Sequence, residues 1–131
     1  MERTYVMLKP DSVKRKLIGK IISRIEDKGF TITRMEMMSP KREVYEEHYA
    51  HVPEQFKESI IDFMLSGPVV AMIVEGENVI ACVRSIMGKT KWEDATPGTI
   101  RGDFGNSTTH NLIHGSDSVE TAEIEIKRFF G

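Results

Sequence analysis

The stretch PVVAMIVEGE, Pro68 to Glu77, is the most strand-like in the chain. Its apolar residues run from Val69 to Val74 without a polar interruption, and Glu75-Gly76-Glu77 closes the run. A strand with one wet face alternates apolar and polar residues, whereas an unbroken apolar run of this length belongs in the middle of a sheet. Upstream, FTITRMEMM (30–38) alternates well enough for a second strand. TYVML (4–8) reads as another, ended at Lys9-Pro10-Asp11 because proline cannot donate to a sheet ladder. Downstream, NLIHGS (111–116) supplies a last short strand.

The segments between these strands carry helical spacing. Val13, Leu17, Ile18, Ile21, Ile22 and Ile25 predict a helix from about Ser12 to Lys28, stopped by Gly29. Ser39 as cap and Pro40 at the first helical position predict a short helix reaching Tyr49. Phe56, Ile60, Phe63 and Met64 define one face of a further helix that ends at Gly67-Pro68, and ENVIACVRSIMG (77–88) forms the next. SVETAEIEIKRFF (118–130) is a helix introduced by Ser118, with a following glutamate expected to complete a capping box. From Lys89 to His110 the periodicity dissolves into a loop of roughly 20 residues, a length that compact domains reserve for functional or disordered segments. The order predicts a four-stranded antiparallel sheet with helices on one face, an α+β sandwich of ferredoxin-like kind, in one domain spanning 1–131.

At 131 residues and 40% hydrophobic content the chain is long enough for one compact domain with a real core and too short for two domains. A net charge of -2 excludes the global basic field that drives nonspecific nucleic-acid binding, so no nucleic-acid partner is expected and any anion site must be local. The lone Cys82 cannot form an intrachain disulfide and reads as a small buried thiol in a reducing compartment. The start, MERTYVMLKPD, has no apolar leader, and no 18-residue apolar run occurs, so a soluble cytoplasmic protein with no membrane partner is expected.

Phosphoryl transfer needs little from side chains beyond a nucleophile, so its sites are built of cations and donors held on phosphate oxygens. Lys9 directly after a strand, Arg84 on a helix, Thr90 just past it and Arg101 within TPGTIRGDF are residues of that type. Taken singly, each is most simply a solvated surface residue. His114, between Ile113 and Gly115, is suited to accept a phosphoryl group, because a neutral imidazole is nucleophilic near neutral pH and its N–P bond is labile. Ser116 and Asn111 lie close in sequence, and Glu125 on the following helix is placed to fold back onto the ring. The competing assignment, a strand-end histidine bonded to backbone, is the commoner fate of a lone histidine. His48, His51 and His110 read as helix-end and loop residues without a zinc pattern, so no protein metal site is expected.

The strings MLKPDSV (7–13), HY (48–49), SGPVVAM (66–72), PGTIRGDF (97–104) and NLIHGSDSVETAEIEI (111–126) together resemble nucleoside diphosphate kinases, over essentially the whole chain. The resemblance implies a ping-pong exchange in which a nucleoside triphosphate phosphorylates a histidine and a nucleoside diphosphate collects the group. Mg2+ would be bound through the nucleotide phosphates rather than by a protein cage. Carried onto this sequence, the motifs make His114 the phosphorylated nucleophile, attacking through Nδ1, with Glu125 orienting the ring and Ser116 the hydroxyl beside it. Lys9 and Asn111 match the pair at the sugar hydroxyls, Lys9 also reaching the phosphates, and Tyr49 the tyrosine near the histidine. Arg84, Thr90 and Arg101 match the phosphate clamp. Family members self-associate as hexamers or tetramers built from a common dimer.

Two positions depart from the pattern. Where the family places an aromatic residue to stack on the base, counting back from Ser66 gives Lys57, with Phe56 one residue early. Where it often has Asn-Pro after the clamp threonine, this chain has Lys91-Trp92. Two other function classes compete with an active kinase: a nucleotide-binding scaffold without turnover, and an RNA-binding module on a ferredoxin-like sheet. The presence of every matched position counts against the first. The charge and the lack of an aromatic RNA-binding strand count against the second.

Overall fold

The computed structural model describes residues Met1–Gly131. Its strands are β1 (Glu2–Leu8), β2 (Thr31–Met38), β3 (Val69–Gly76) and β4 (Ile113–Gly115). They form one sheet in the order β2-β3-β1-β4, with every neighbouring pair antiparallel. The helices are α1 (Pro10–Lys14), α2 (Ile18–Asp27), α3 (Arg42–His48), α4 (Glu54–Met64), α5 (Val79–Met87), α6 (Ile100–Phe104) and α7 (Val119–Phe130). This is the ferredoxin-like α+β arrangement. No helix is long and apolar enough to cross a membrane.

The run Val69–Val74 is the interior strand expected of it, and the reason corrects the expectation of helices on one face. Helices cover both. Val6, Leu8, Val70, Met72 and Val74 point into one cluster with Ile21 and Ile25 of α2 and Val79, Val83 and Met87 of α5. Tyr5, Met7, Ala71 and Ile73, the alternate residues, point into a second with Tyr45 of α3, Ile61 and Met64 of α4, and Ile126 and Phe129 of α7. A strand sandwiched between two apolar layers has no wet side, and its period-2 signal disappears.

Several boundaries differ from those predicted. The helix expected over 12–28 is two helices: Pro10 opens α1 at its first position, and Lys16 then takes a left-handed conformation with φ 60°. The Leu17 N–H returns to Ser12 O, and Leu17 is buried at the corner. Helix α3 begins at Arg42 with Lys41 as cap, not at Ser39, because β2 continues in register with β3 to Met38. Phe56 is 53% exposed, so Ile61 and Met64 form the buried face of α4. The capping position after Ser118 belongs to Thr121, whose N–H donates to Ser118 Oγ; Glu120 stands one residue early. Cys82 is only half-buried.

The expected loop over 89–110 holds a 3-10 turn at Trp92–Asp94 and helix α6, closed at its start by Thr99 Oγ1 accepting from Gly102 N–H at 3.0 Å. A β-carbon on Gly102 would stand 2.0 Å from the Thr96 carbonyl oxygen. Gly102→Ala is expected to destabilise the fold by about 1–3 kcal/mol. Gly19→Ala, in α2 with open space at its β-carbon, is expected to stabilise by roughly 0.5–1 kcal/mol. Denaturant midpoints of the two variants check both; equal midpoints would mean that α6 is not packed as described.

Candidate active site

The site is assembled at the end of β1, where the chain turns through Lys9-Pro10-Asp11 beside the entry to β4. Leu112, fully buried and with φ 76°, carries a left-handed backbone that costs a non-glycine residue on the order of 1–3 kcal/mol. It is held there from the turn. Lys9 N–H and Ser12 Oγ donate to its carbonyl at 2.9 and 2.7 Å, and its N–H donates to Asp11 Oδ2 at 3.1 Å. This kink aims the next two residues, Ile113 into the core and His114 away from it, opposite Met7 of β1.

His114 Nε2 lies 2.8 Å from Glu125 Oε1, and Ser116 Oγ donates to the same oxygen at 2.6 Å. Glu125 is 4% exposed. Burial alone would push its carboxyl up, but the hydrogen bond and charge of His114, the Ser116 hydroxyl and His48 together bring it below its usual value. An ionised carboxylate only accepts, so Nε2 of His114 carries the proton and Nδ1 keeps its lone pair. The His114 side chain is 25% exposed and lines a cleft of about 530 Å³ with Tyr49, His51, Arg84, Asp117 and Arg128.

The predicted cations are arranged around the strand rather than all within this cleft. Arg84 lines it and donates to Gly115 O at 2.9 Å. Arg101 is buried, its guanidinium on the carbonyls of Asn111, Gly88 and Ile113 at 3.1, 3.0 and 2.6 Å, so it braces the segment on both sides of Leu112. Lys9 Nζ donates to Asn111 Oδ1 at 2.8 Å. Burial, then the Arg101 charge, lowers Lys9 to about 8 against the pull of Asp11. Arg101 is itself lowered to about 10 by burial and by Arg84. Beyond burial, Arg101 thus stands close enough to Lys9 to disfavour its charge, and Arg84 close enough to disfavour that of Arg101. Thr90 lies exposed beyond α5, and Lys57 on α4 donates to Glu54 Oε1 at 3.0 Å; neither shares a hydrogen bond or ion pair with the other predicted residues. On the same helix Phe56 is the exposed aromatic residue, and Phe63 stacks on His110 at 4.1 Å, tying α4 to the segment before Asn111.

Two residues of the site were not anticipated. His48, expected as a helix-end residue, is buried with its ring 4.9 Å from that of His114, and Arg128 Nη1 donates to its Nδ1 at 2.9 Å. Nothing local marks His48, whereas Arg128 stands three residues after Glu125 on α7, a spacing that puts both on one face. His48, His114 and Glu125 offer ligand atoms within 4.8 Å of one another, but two imidazoles and one carboxylate do not suit magnesium, which takes oxygen ligands.

The family model described as nucleoside diphosphate kinase matches residues 2–131. The nucleoside diphosphate kinase of Acetivibrio thermocellus is 58% identical over 131 residues, covering 99% of this chain and 96% of that protein. That of Methanocaldococcus jannaschii is 57% identical over 130 residues, covering 98% and 93%. Among solved structures, the chain is similar to a halophilic nucleoside diphosphate kinase from Halobacterium salinarum in complex with CDP. That match has a TM-score of 0.94 and 48% identity, covering 98% of this chain and 87% of that one. The apo enzyme from Encephalitozoon cuniculi gives a TM-score of 0.96 with 47% identity, covering 100% and 90%.

The lowered Lys9 has a measurable consequence. An anion beside it favours the ammonium and raises its pKa back from about 8, so binding near that pH takes up a proton. Affinity for the anion should accordingly fall as pH rises through about 8. Calorimetry of nucleotide binding in buffers of different ionisation enthalpy measures the uptake. It should vanish in Lys9→Met; uptake that persists in that variant would place the titrating group elsewhere.

Proposed function

From the premise that this chain belongs to the nucleoside diphosphate kinase family and exchanges phosphoryl groups between nucleoside tri- and diphosphates, we propose that His114 carries the group in transit and that residues 1–131 form one domain built to serve it. The supporting observation is the 2.8 Å contact between His114 Nε2 and Glu125 Oε1, which fixes the tautomer and leaves Nδ1 as the nucleophile.

In the first half-reaction the Nδ1 lone pair attacks the terminal phosphorus. The N–P bond forms as the bond from that phosphorus to the bridging oxygen breaks, and the electron pair leaves on the nucleoside diphosphate. The ring becomes imidazolium-like, and Glu125, already ionised and aligned through Nε2–H, stabilises that charge without reorganising. Ser116 holds the carboxylate oxygen in place. A second nucleoside diphosphate reverses the steps. Arg84, Arg101 and Thr90 serve as the phosphate clamp, Arg101 acting from beneath through its field while bracing the backbone. Lys9 and Asn111, a hydrogen-bonded pair, bind the sugar hydroxyls, Lys9 also reaching the phosphates, and Tyr49 walls the cleft beside the ring. Mg2+ would be held by the nucleotide phosphates, where it would supply charge neutralisation; the imidazoles and single carboxylate of the site fit a metal held in that way rather than by a protein cage. At the base position Lys57 and Phe56 on α4 are the alternatives, and Phe56, the exposed ring, supplies the stacking surface in this reading.

The protein works in the cytoplasm in this reading, in keeping with its single half-buried thiol. It also self-associates into a hexamer or tetramer built from dimers. Edge strand β2 exposes Met35 and Met37, apolar surface that a second copy would cover.

Incubation with Mg-ATP followed by removal of nucleotide should leave an acid-labile, base-stable phosphate on the protein, absent from folded His114→Ala. Phosphotransfer by that variant would overturn the assignment. Glu125→Gln loses a charge-assisted bond of about 1.5–3 kcal/mol and should slow phosphorylation by roughly 10–10²-fold without abolishing it. Phe56→Ala should weaken nucleotide binding by about 1–3 kcal/mol, as loss of a base-stacking ring does. Equal affinities in direct titration would move the base off this helix.

A further inference from the structure

Two imidazoles converge on one buried carboxylate. Glu125 gives Oε1 to His114, while Oε2 lies 3.8 Å from Nδ1 of His48, itself 6% exposed. A proton on that Nδ1, in the neutral Nδ1–H tautomer or in the imidazolium, would turn a donor toward Glu125, and the carboxylate would be shared between two rings. The nitrogen is already engaged. A guanidinium can only donate, so Arg128 Nη1 at 2.9 Å takes up the Nδ1 lone pair. The His48 ring is boxed in edge-on at its other sides, with interplanar angles of 85° to His114, 76° to Tyr49 and 76° to Phe129.

We propose that Arg128 is a positioning residue that holds His48 as the neutral Nε2–H tautomer and thereby reserves Glu125 for His114. The lock has a second effect: with its Nδ1 lone pair engaged, His48 is not a phosphoryl acceptor although its ring lies beside His114. This inference rests on the assignment of His114 as the phosphorylated residue.

All but one of the influences on His48 act in the same direction. Burial is the largest influence, followed by the charge of His114 on β4; Glu125 on α7 opposes them, and Arg128 on α7 and Lys9 after β1 add to them, with the net result about 3. Neighbouring Tyr49 is pushed up by burial and by Glu125, and stays neutral. A folded-state value below the ordinary one means that acid must force a proton onto His48.

Imidazole ¹⁵N spectra of the full-length protein test the lock directly. From about pH 5 to about pH 8, where an ordinary histidine changes charge, His48 should show an unprotonated, hydrogen-bonded Nδ1 and a protonated Nε2 throughout. In Arg128→Met, where Nδ1 loses its donor, a form of His48 protonated at Nδ1 and facing Glu125 Oε2 should become populated within that window. The acid limb of single-turnover phosphoenzyme formation at saturating Mg-ATP should then move up by about one pH unit, the ordinary spread of histidine values. Arg128→Lys, which restores a donor, should return the limb part of the way. A proton on Nδ1 of His48 in the unmodified protein, or titration there, overturns the lock even if Arg128→Met fails to fold. An unmoved acid limb in folded Arg128→Met overturns the link to His114. Absence of any phosphoenzyme in the unmodified protein would instead remove the His114 assignment, an outcome the tautomer spectra would distinguish.

Discussion

A carboxylate taken out of water must be compensated by hydrogen bonds or it will not stay ionised, and Glu125 is the point at which this molecule meets that demand. One oxygen serves His114 and Ser116 together. Ser116 in turn exchanges contacts with the backbone of Tyr5, its Oγ 3.3 Å from the Tyr5 N–H and 3.4 Å from the carbonyl. The first strand, the last strand and the last helix are therefore fixed relative to each other by the same ionised group that orients the histidine. Stability and chemistry are not separable here.

The cationic side follows a complementary logic. Arg101 contributes to a positive field and ties together three carbonyls, of Gly88, Asn111 and Ile113, that would otherwise be left facing the interior. A guanidinium spends all its donors in one plane and keeps its charge while doing so, which lysine cannot match. Arg84 disfavours the charge of Arg101 and Arg101 that of Lys9, and with these cations a protein of net charge -2 concentrates positive potential in one place.

Much of this was legible in residue order. The Val69–Val74 run located the sheet interior, and His114 and Glu125 were recognisable as a pair because a strand–turn–helix returns the second past the first. Periodicity failed where both sides of an element are apolar: Tyr5 and Val6 look alike in sequence yet enter different cores. It failed again at Lys16, whose left-handed backbone is imposed by the burial of Leu17 and not by any turn residue, and at α6, too short and glycine-bearing to register. His48 was missed for a different reason. Its significance comes from Arg128, eighty residues away in the chain, and no local pattern encodes a tautomer.

The strand made first lies at the centre of the sheet, and both its partners come much later: β3 from residue 69 and β4 from residue 113. Loop closure over such separations is slow, and the contacts that define the site, Lys9 to Asn111 and Tyr5 to Ser116, are among the longest in the chain. During synthesis the β4 edge of β1 stays uncovered until Ile113–Gly115, more than a hundred residues on, has been made. The contact between His114 and Glu125 therefore cannot form before α7 has been made, however early β1 and β3 pair.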